Sequence, residues 1–203
     1  MRRHRSGWWA LLSLLPLGML AAARPTVAAG GTGAVVLVEE HFDETRPIPA
    51  LGTYEKLPTD LVARVGRGER WHLIVGPGSA ATAQVVGGVA MVRIQRAGMQ
   101  WYAVQLAYLP VRLQPGRAYR VTFRSRAERS VFITFDLTHV GQGWHSYSGR
   151  KELELGRAWA EYEVRFTTGA SESDEGARFE FNFGDETDVA AFIDDVRVVE
   201  ERS

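Results

Sequence analysis

Residues 113–126 read LQPGRAYRVTFRSR, and the second half decides the fold: after the Pro115-Gly116 turn, Tyr119, Val121 and Phe123 alternate with Arg120, Thr122 and Arg124. Apolar residues at every second position bury one face of a strand and leave the other to solvent, so a tight turn followed by strict alternation gives a half-buried antiparallel strand. The pattern returns in SVFITFDL (130–137), WAEYEVRFTT (159–168), ARFEFNFG (177–184) and VAAFIDDVRVVEE (189–201). No segment of useful length carries a helical apolar stripe, and no internal repeat is evident. The expected fold is all-β, an antiparallel β-sandwich of the jelly-roll or Greek-key kind. Such a sandwich works through one sheet face or its loops, which frames the function as recognition rather than chemistry.

The chain opens with the basic MRRHRSG, continues with the apolar WWALLSLLPLGMLAAA and reaches small residues at Val27, Ala28 and Ala29. This is the layout of a signal peptide over 1–29, leaving one domain over 30–203. A membrane anchor is the competing reading, but Pro16 and Gly18 interrupt a run that is short for a bilayer. Cleavage after Ala29 removes Arg2, Arg3, Arg5 and Arg24, which takes Lys and Arg from 24 to 20 against 24 Asp and Glu, a formal net charge of −4. A mildly acidic chain lacks the basic footprint that nucleic acid demands. With no cysteine there is neither a lipid attachment point nor a disulfide, so the core or a bound metal must supply stability outside the cell. The expected product is a monomer, secreted or periplasmic and free of the membrane.

AVVLVEEHF (34–42) is a first strand ending in acids, and residues 43–70 read as a long loop, of the kind that is usually functional or metal-tied. WHLIVG (71–76) and VVGGVAMVRIQ (85–95) are strands, with turns at Gly76–Gly78 and a turn or bulge at Gly87–Gly88. In WYAVQLAYL (101–109), alternation puts Tyr102, Val104, Leu106 and Tyr108 in the core and Trp101, Ala103, Gln105 and Ala107 on the other face. In ARFEFNFG the phenylalanines face inward and Arg178, Glu180 and Asn182 outward. Asp136 alternates with Val131, Ile133, Phe135 and Leu137, which sets it beside Thr134 on an outward face. Trp71 either edges a groove or starts a strand.

These residues resemble the sandwich carbohydrate-binding modules of families four, nine, sixteen and twenty-two, with a galactose-binding-domain-like fold. The carriers are WYAVQLAYL, the L-x-P-G-x-x-Y-x-V-x-F run at Leu113 to Phe123, the W-x-x-Y-x-V-x-F run at Trp159 to Phe166, and F-x-F-x-F-G with F-I-D-D-V from Phe179 to Val196. The likeness spans Phe42 to Val199. It implies a concave sheet crossed by a groove in which aromatic rings carry the apolar faces of sugars and polar side chains meet their hydroxyls. The expected partner is a carbohydrate, a plant-type or cell-wall glycan.

Six residues are the candidate ligand contacts. Trp144 and Tyr147 lie in the Gly-flanked polar loop THVGQGWHSYSGRKE, where they serve either as a binding platform or as a plug at the end of the sandwich. Trp101 and Gln105 share one outward face and Asn182 another, either lining a groove or forming a solvated sheet face. Asp136 is the sixth. In the resembling family the Asp194-Asp195 strand contributes a carboxylate to a structural calcium, together with carbonyls near the first strand, and Glu39 and Glu40, with Asp43 and Glu44, are acids that suit a hard cation. The other reading of these acids is a charged strand end held by hydrogen bonds.

Catalytic signatures are missing: there is no G-x-S-x-G elbow, no H-E-x-x-H pair, and the five histidines are scattered. Glu161 and Glu163 share a strand face at a spacing of roughly 7 Å, but neither adjoins a groove motif. The expected activity is non-catalytic binding of a polysaccharide or oligosaccharide. The alternative is a cell-envelope interaction module using the same loops to hold a protein or surface polymer, through a broader apolar patch.

Overall fold

The computed structural model describes residues 33–52, 70–139 and 144–201, which contain thirteen strands and no helix. Strands are numbered in chain order. One sheet runs β11 (Ala160–Thr167), β8 (Ala118–Ala127), β13 (Val189–Glu201), β6 (Val89–Arg96), β5 (Ala80–Val86), β2 (Arg46–Pro47), and β1 (Val35–Glu40) also pairs with β13. The second runs β10 (Lys151–Leu155), β9 (Val131–Thr138), β12 (Asp174–Asn182), β7 (Val104–Leu113), β4 (Trp71–Val75), β3 (Ala50–Gly52). Pairing is antiparallel throughout except between β3 and β4. The expected sandwich is what forms, and the alternation of Tyr119, Val121 and Phe123 in β8 is its inward face.

The core is aromatic. Trp71 opens β4 and is fully buried, with ring centroids 5.1 Å from Phe42, 5.3 Å from Tyr108, 5.4 Å from Phe179 and 6.4 Å from Phe181. Its indole N–H donates to Glu40 Oε2 at 3.2 Å, so the polar end of the ring is satisfied. Phe123 joins the two sheets by meeting Phe135 and Phe181. Of the four core residues expected between 102 and 108, Tyr102 is corrected. It precedes β7, where no strand alternation operates, and is partly exposed with its ring against Trp101 at 5.0 Å.

Two expectations about loops change. Residues 43–70 contain β2 and β3, short edge strands without the length to show a period; residues 53–69 lie outside the described set, as do 1–32, which hold the expected signal peptide. Gly87 and Gly88 make the turn expected there, a two-residue hairpin between β5 and β6, with φ of 60° and 78°. Positive φ at both central positions matches the strand twist, and glycine reaches it without strain. The strand β10 adds a pair to β9 inside what reads in sequence as a polar loop.

Candidate functional site

β12 is central in the second sheet, and its outward residues meet those of both neighbours. Asn182 pairs with Gln105 on β7 and Thr134 on β9, while Glu180 pairs with Ala107 and Asp136. Gln105 Nε2 donates to Asn182 Oδ1 at 2.7 Å, and Asn182 Nδ2 to the Thr134 carbonyl at 3.4 Å. The shared face is as expected from alternation, but its exposure is not: Gln105 and Asn182 are each only 2% exposed. Alternation gives the direction of a side chain and not its depth, and here the outward side is covered as well. Four buried atoms of this face, Gln105 Oε1, Thr134 Oγ1, Asp136 Oδ2 and Glu180 Oε2, have no hydrogen-bond partner among the described residues, although the Arg178 guanidinium stands 2.6 Å from Glu180 Oε2.

Beside the floor opens a cleft of about 220 Å³ lined by Trp101, Phe132, Thr134, Glu152, Asn182 and Asp185, with Ile133 and Glu186 completing it. Trp101 belongs to the turn before β7 rather than to the strand, and its carbonyl accepts the Gly184 N–H at 2.9 Å. A Cβ on Gly184 would strike the Gln100 and Trp101 backbone, so glycine is what lets the β12–β13 turn dock there. Phe132, 56% exposed, is the second aromatic wall. Sequence reasoning passed over it, although the alternation that sends Thr134 and Asp136 outward sends Phe132 with them, and an aromatic ring on a polar face was the available clue. Its backbone N–H is held by Glu186 Oε1 at 3.0 Å, and Glu186 by Arg129 at 2.9 Å. The Arg150 guanidinium stands over the Trp101 ring at 4.6 Å.

An aromatic-walled cleft beside a polar floor on one sheet of a sandwich is a sugar-binding layout, and the family model of the carbohydrate binding domain, of the family 4 and 9 type, matches residues 52–188. The chain belongs to this family. Among solved structures, one described as CBM4 structure and function aligns at 19% identity and a TM-score of 0.63, over 79% of this chain and 97% of that one. The N-terminal cellulose-binding domain of Cellulomonas fimi β-1,4-glucanase C aligns at 16% identity and a TM-score of 0.52, over 66% and 90%. The second N-terminal cellulose-binding domain of the same glucanase gives 14% and 0.50, over 66% and 86%. No curated protein matches. At these identities the structures establish a shared fold.

In this carbohydrate binding domain Asp136 does not offer itself to a ligand. Its Oδ1 accepts the hydroxyls of Ser146 and Ser148 and the Leu137 N–H, and the residue is fully buried. It therefore anchors the segment that carries Trp144 and Arg150, which corrects its expected role as a contact. Tyr147, between the two serines, points the other way: it packs against the core and donates its hydroxyl to Asp174 Oδ2 at 2.8 Å. Burial and then the Asp174 bond push its phenol far up, so it is a packing residue rather than a platform. Trp144 is 52% exposed and does not line the cleft.

Burial pushes the Asp136 carboxyl up despite its hydroxyl and amide donors and Arg150. Burial also raises Glu180, opposed by Arg178, 2.6 Å away, and reinforced by Asp136. A carboxyl whose folded pKa is raised stabilises the fold while protonated, below the unfolded value of about 4, and that contribution is lost as pH rises through the folded value. Asp136→Asn keeps the Oδ1 acceptor and removes the charge. It is expected to raise the melting temperature at pH 7 relative to wild type and to leave the two proteins closer at pH 4. An unchanged difference across that range would overturn the assignment.

The Gln105–Asn182 bond gives a second test. Each alanine substitution strands a buried amide group at a cost of about 1–3 kcal/mol in stability. The double variant is expected to lose clearly less than the sum, because the two changes delete one shared bond. Urea unfolding of the four proteins measures it; strict additivity would mean the bond is absent.

The four acids read as calcium ligands are engaged elsewhere. Glu40 accepts the Phe42 N–H at 2.9 Å and the Trp71 indole, and Arg46 lies 3.8 Å from it. Glu39 faces Arg197 at 3.7 Å. Asp194, 4% exposed, accepts the Asp195 N–H at 2.8 Å. Asp195 sits at a bulge with φ of 50°, 2.9 Å from His41 Nδ1 and 3.1 Å from Arg124. Burial works against its charge, but His41 and Arg124 outweigh burial and hold the carboxyl low. Among the described residues no group of three or more His, Asp or Glu side chains converges, so side chains alone do not make a cation site here. The strand end is held by hydrogen bonds and ion pairs, and the expected melting curve is the same with excess calcium and with chelator. A chelator-induced drop would restore the metal.

Glu161 and Glu163 lie on β11, in the sheet that does not carry the cleft. Arg165 donates to Glu163 at 2.7 Å and holds its carboxyl low, the reverse of what a general acid needs.

Proposed function

We propose that this chain is an exported, non-catalytic module that holds a neutral plant-type or cell-wall polysaccharide in the cleft between Trp101 and Phe132. One observation carries the reading: Trp101 and Phe132 wall a cleft whose floor is polar, lined by Thr134 and Asn182 with Glu152 and Asp185 at its rim. A pyranose presents an apolar C–H face to a ring and a rim of hydroxyls to such acceptors, so one ligand answers both features. Catalysis would need two carboxyls flanking the sugar with one of them raised by burial. The raised pair, Asp136 and Glu180, is closed off by Ser146, Ser148 and Arg178, and the rim acids Glu152 and Asp185 are exposed. Export rests on the basic, apolar and small-residue order of residues 1–29.

Affinity gel electrophoresis against hydroxyethylcellulose, a xylan free of uronosyl groups and mixed-linkage glucan tests it. Retardation by at least one polymer is expected, without release of reducing ends. Migration unaffected by every polymer would overturn the proposal.

A further inference from the structure

The outward face of the first sheet carries a cluster of its own. On β8, Arg120 meets Glu201 at 3.1 Å and Arg124 meets Asp195 at 3.1 Å. Arg126, next on the same face, has no carboxylate and no hydrogen-bond acceptor among the described residues. Its guanidinium lies instead 4.0 Å from the Phe192 ring centroid and 5.3 Å from that of Trp159. The register explains the clamp: Phe192 is the β13 partner of Arg126, and Trp159 precedes Ala160, the β11 partner of Ser125. Trp159 is steadied by Arg124 at 5.1 Å. All three residues of the clamp are half-buried.

A guanidinium fixed between two rings keeps its N–H edge for a ligand and has already lost the side-chain freedom that binding would cost. Arg157 adds charge: it is exposed, has no partner among the described residues, and its turn is tied to β8 by the Ala127 N–H to Gly156 carbonyl bond of 2.8 Å. Three arginines here face Asp195 and Glu161, both on the Arg124 side, so the patch is net positive on a mature chain of net charge −4.

We infer that Arg126, with Trp159 and Phe192, forms a second ligand site on the sheet opposite the cleft, for the carboxylate of a uronosyl sugar. The planar fork meets a planar carboxylate through two parallel bonds, and the flanking rings take the C–H face of the sugar that bears it.

Isothermal titration with trigalacturonate at low salt, beside its full methyl ester, tests the site in the mature protein. Wild type and Trp101→Ala are expected to bind trigalacturonate with equal affinity. Arg126→Gln is expected to bind at least tenfold more weakly, and the ester not to bind. Arg126→Lys keeps the charge without the fork and is also expected to weaken. The indole N–H resonance of Trp159, assigned with Trp159→Phe, should shift on binding in wild type only. Thermal melting confirms that each variant is folded. Absence of binding, equal binding by Arg126→Gln or by the ester, or loss in Trp101→Ala would overturn the site. Because the neutral polymers of the previous experiment do not engage a carboxylate fork, either site can fail without the other.

Discussion

Replacing Trp101 and Phe132 together by alanine is expected to lower affinity for the retarding polysaccharide by about 2–4 kcal/mol, the range of aromatic anchors at a binding surface, or about 30- to 700-fold. Phe132 is 56% exposed and Trp101 sits in a turn outside the core, so neither ring holds the sandwich together. The melting temperature is therefore expected to stay near that of wild type. Some of the loss comes from Arg150, whose guanidinium is parked on Trp101 and would be left without a surface to rest on. Titration calorimetry on the single and double variants measures the effect. Undiminished affinity in the double variant would remove the two walls from the site. Trp144→Ala serves as the comparison: its ring is exposed away from the cleft, and little change is expected.

The largest expected loss of stability follows from Trp71→Ala. Deleting a buried aromatic typically costs about 3–5 kcal/mol, and this ring touches Phe42, Tyr108, Phe179 and Phe181 at once. Glu40 loses its indole donor in the same step. Against a total of about 5–15 kcal/mol for a domain, the variant is expected to be near the edge of folding. The midpoint of urea unfolding reports it, and Trp71→Phe, which refills most of the space, should recover more than half. A drop below about 1 kcal/mol would be too small for a core aromatic and would place Trp71 at the rim.

The sandwich was legible because β8, β9, β11, β12 and β13 each obey a two-residue period, and a period of two is written directly into side-chain order. β10 was not, because Lys151, Glu152 and Glu154 leave only Leu153 and Leu155 to mark it, and β2 and β3 are too short to repeat anything. Within the site, the direction of Gln105, Asn182 and Asp136 was readable and their surroundings were not. That Asp136 is capped by Ser146 and Ser148, and that Tyr147 turns inward between them, depends on a chain segment folding back over β9, which no local pattern encodes. Phe132 follows from the same alternation that turns Thr134 and Asp136 outward, and an aromatic ring on that otherwise polar face is the local mark of the second wall. The acids at 39, 40, 194 and 195 were placed near one another correctly in topology, since β1 pairs with β13. Which arginine, histidine or indole each one meets comes from other strands.

The β1–β13 ladder also sets how the domain responds to load. Val35 faces Glu200 and Glu40 faces Val196, so the first and last strands enter and leave the sandwich side by side at the same end of their five pairs. Tension drawn between those two ends pulls across the strands instead of along them. The hydrogen bonds then break in succession from Val35 inward, as a zipper opens, and never share the force. Under the proposed function, a polymer held on the second sheet would load a seam in the first that yields at low force, with the strand 35–40 as its mechanical fuse.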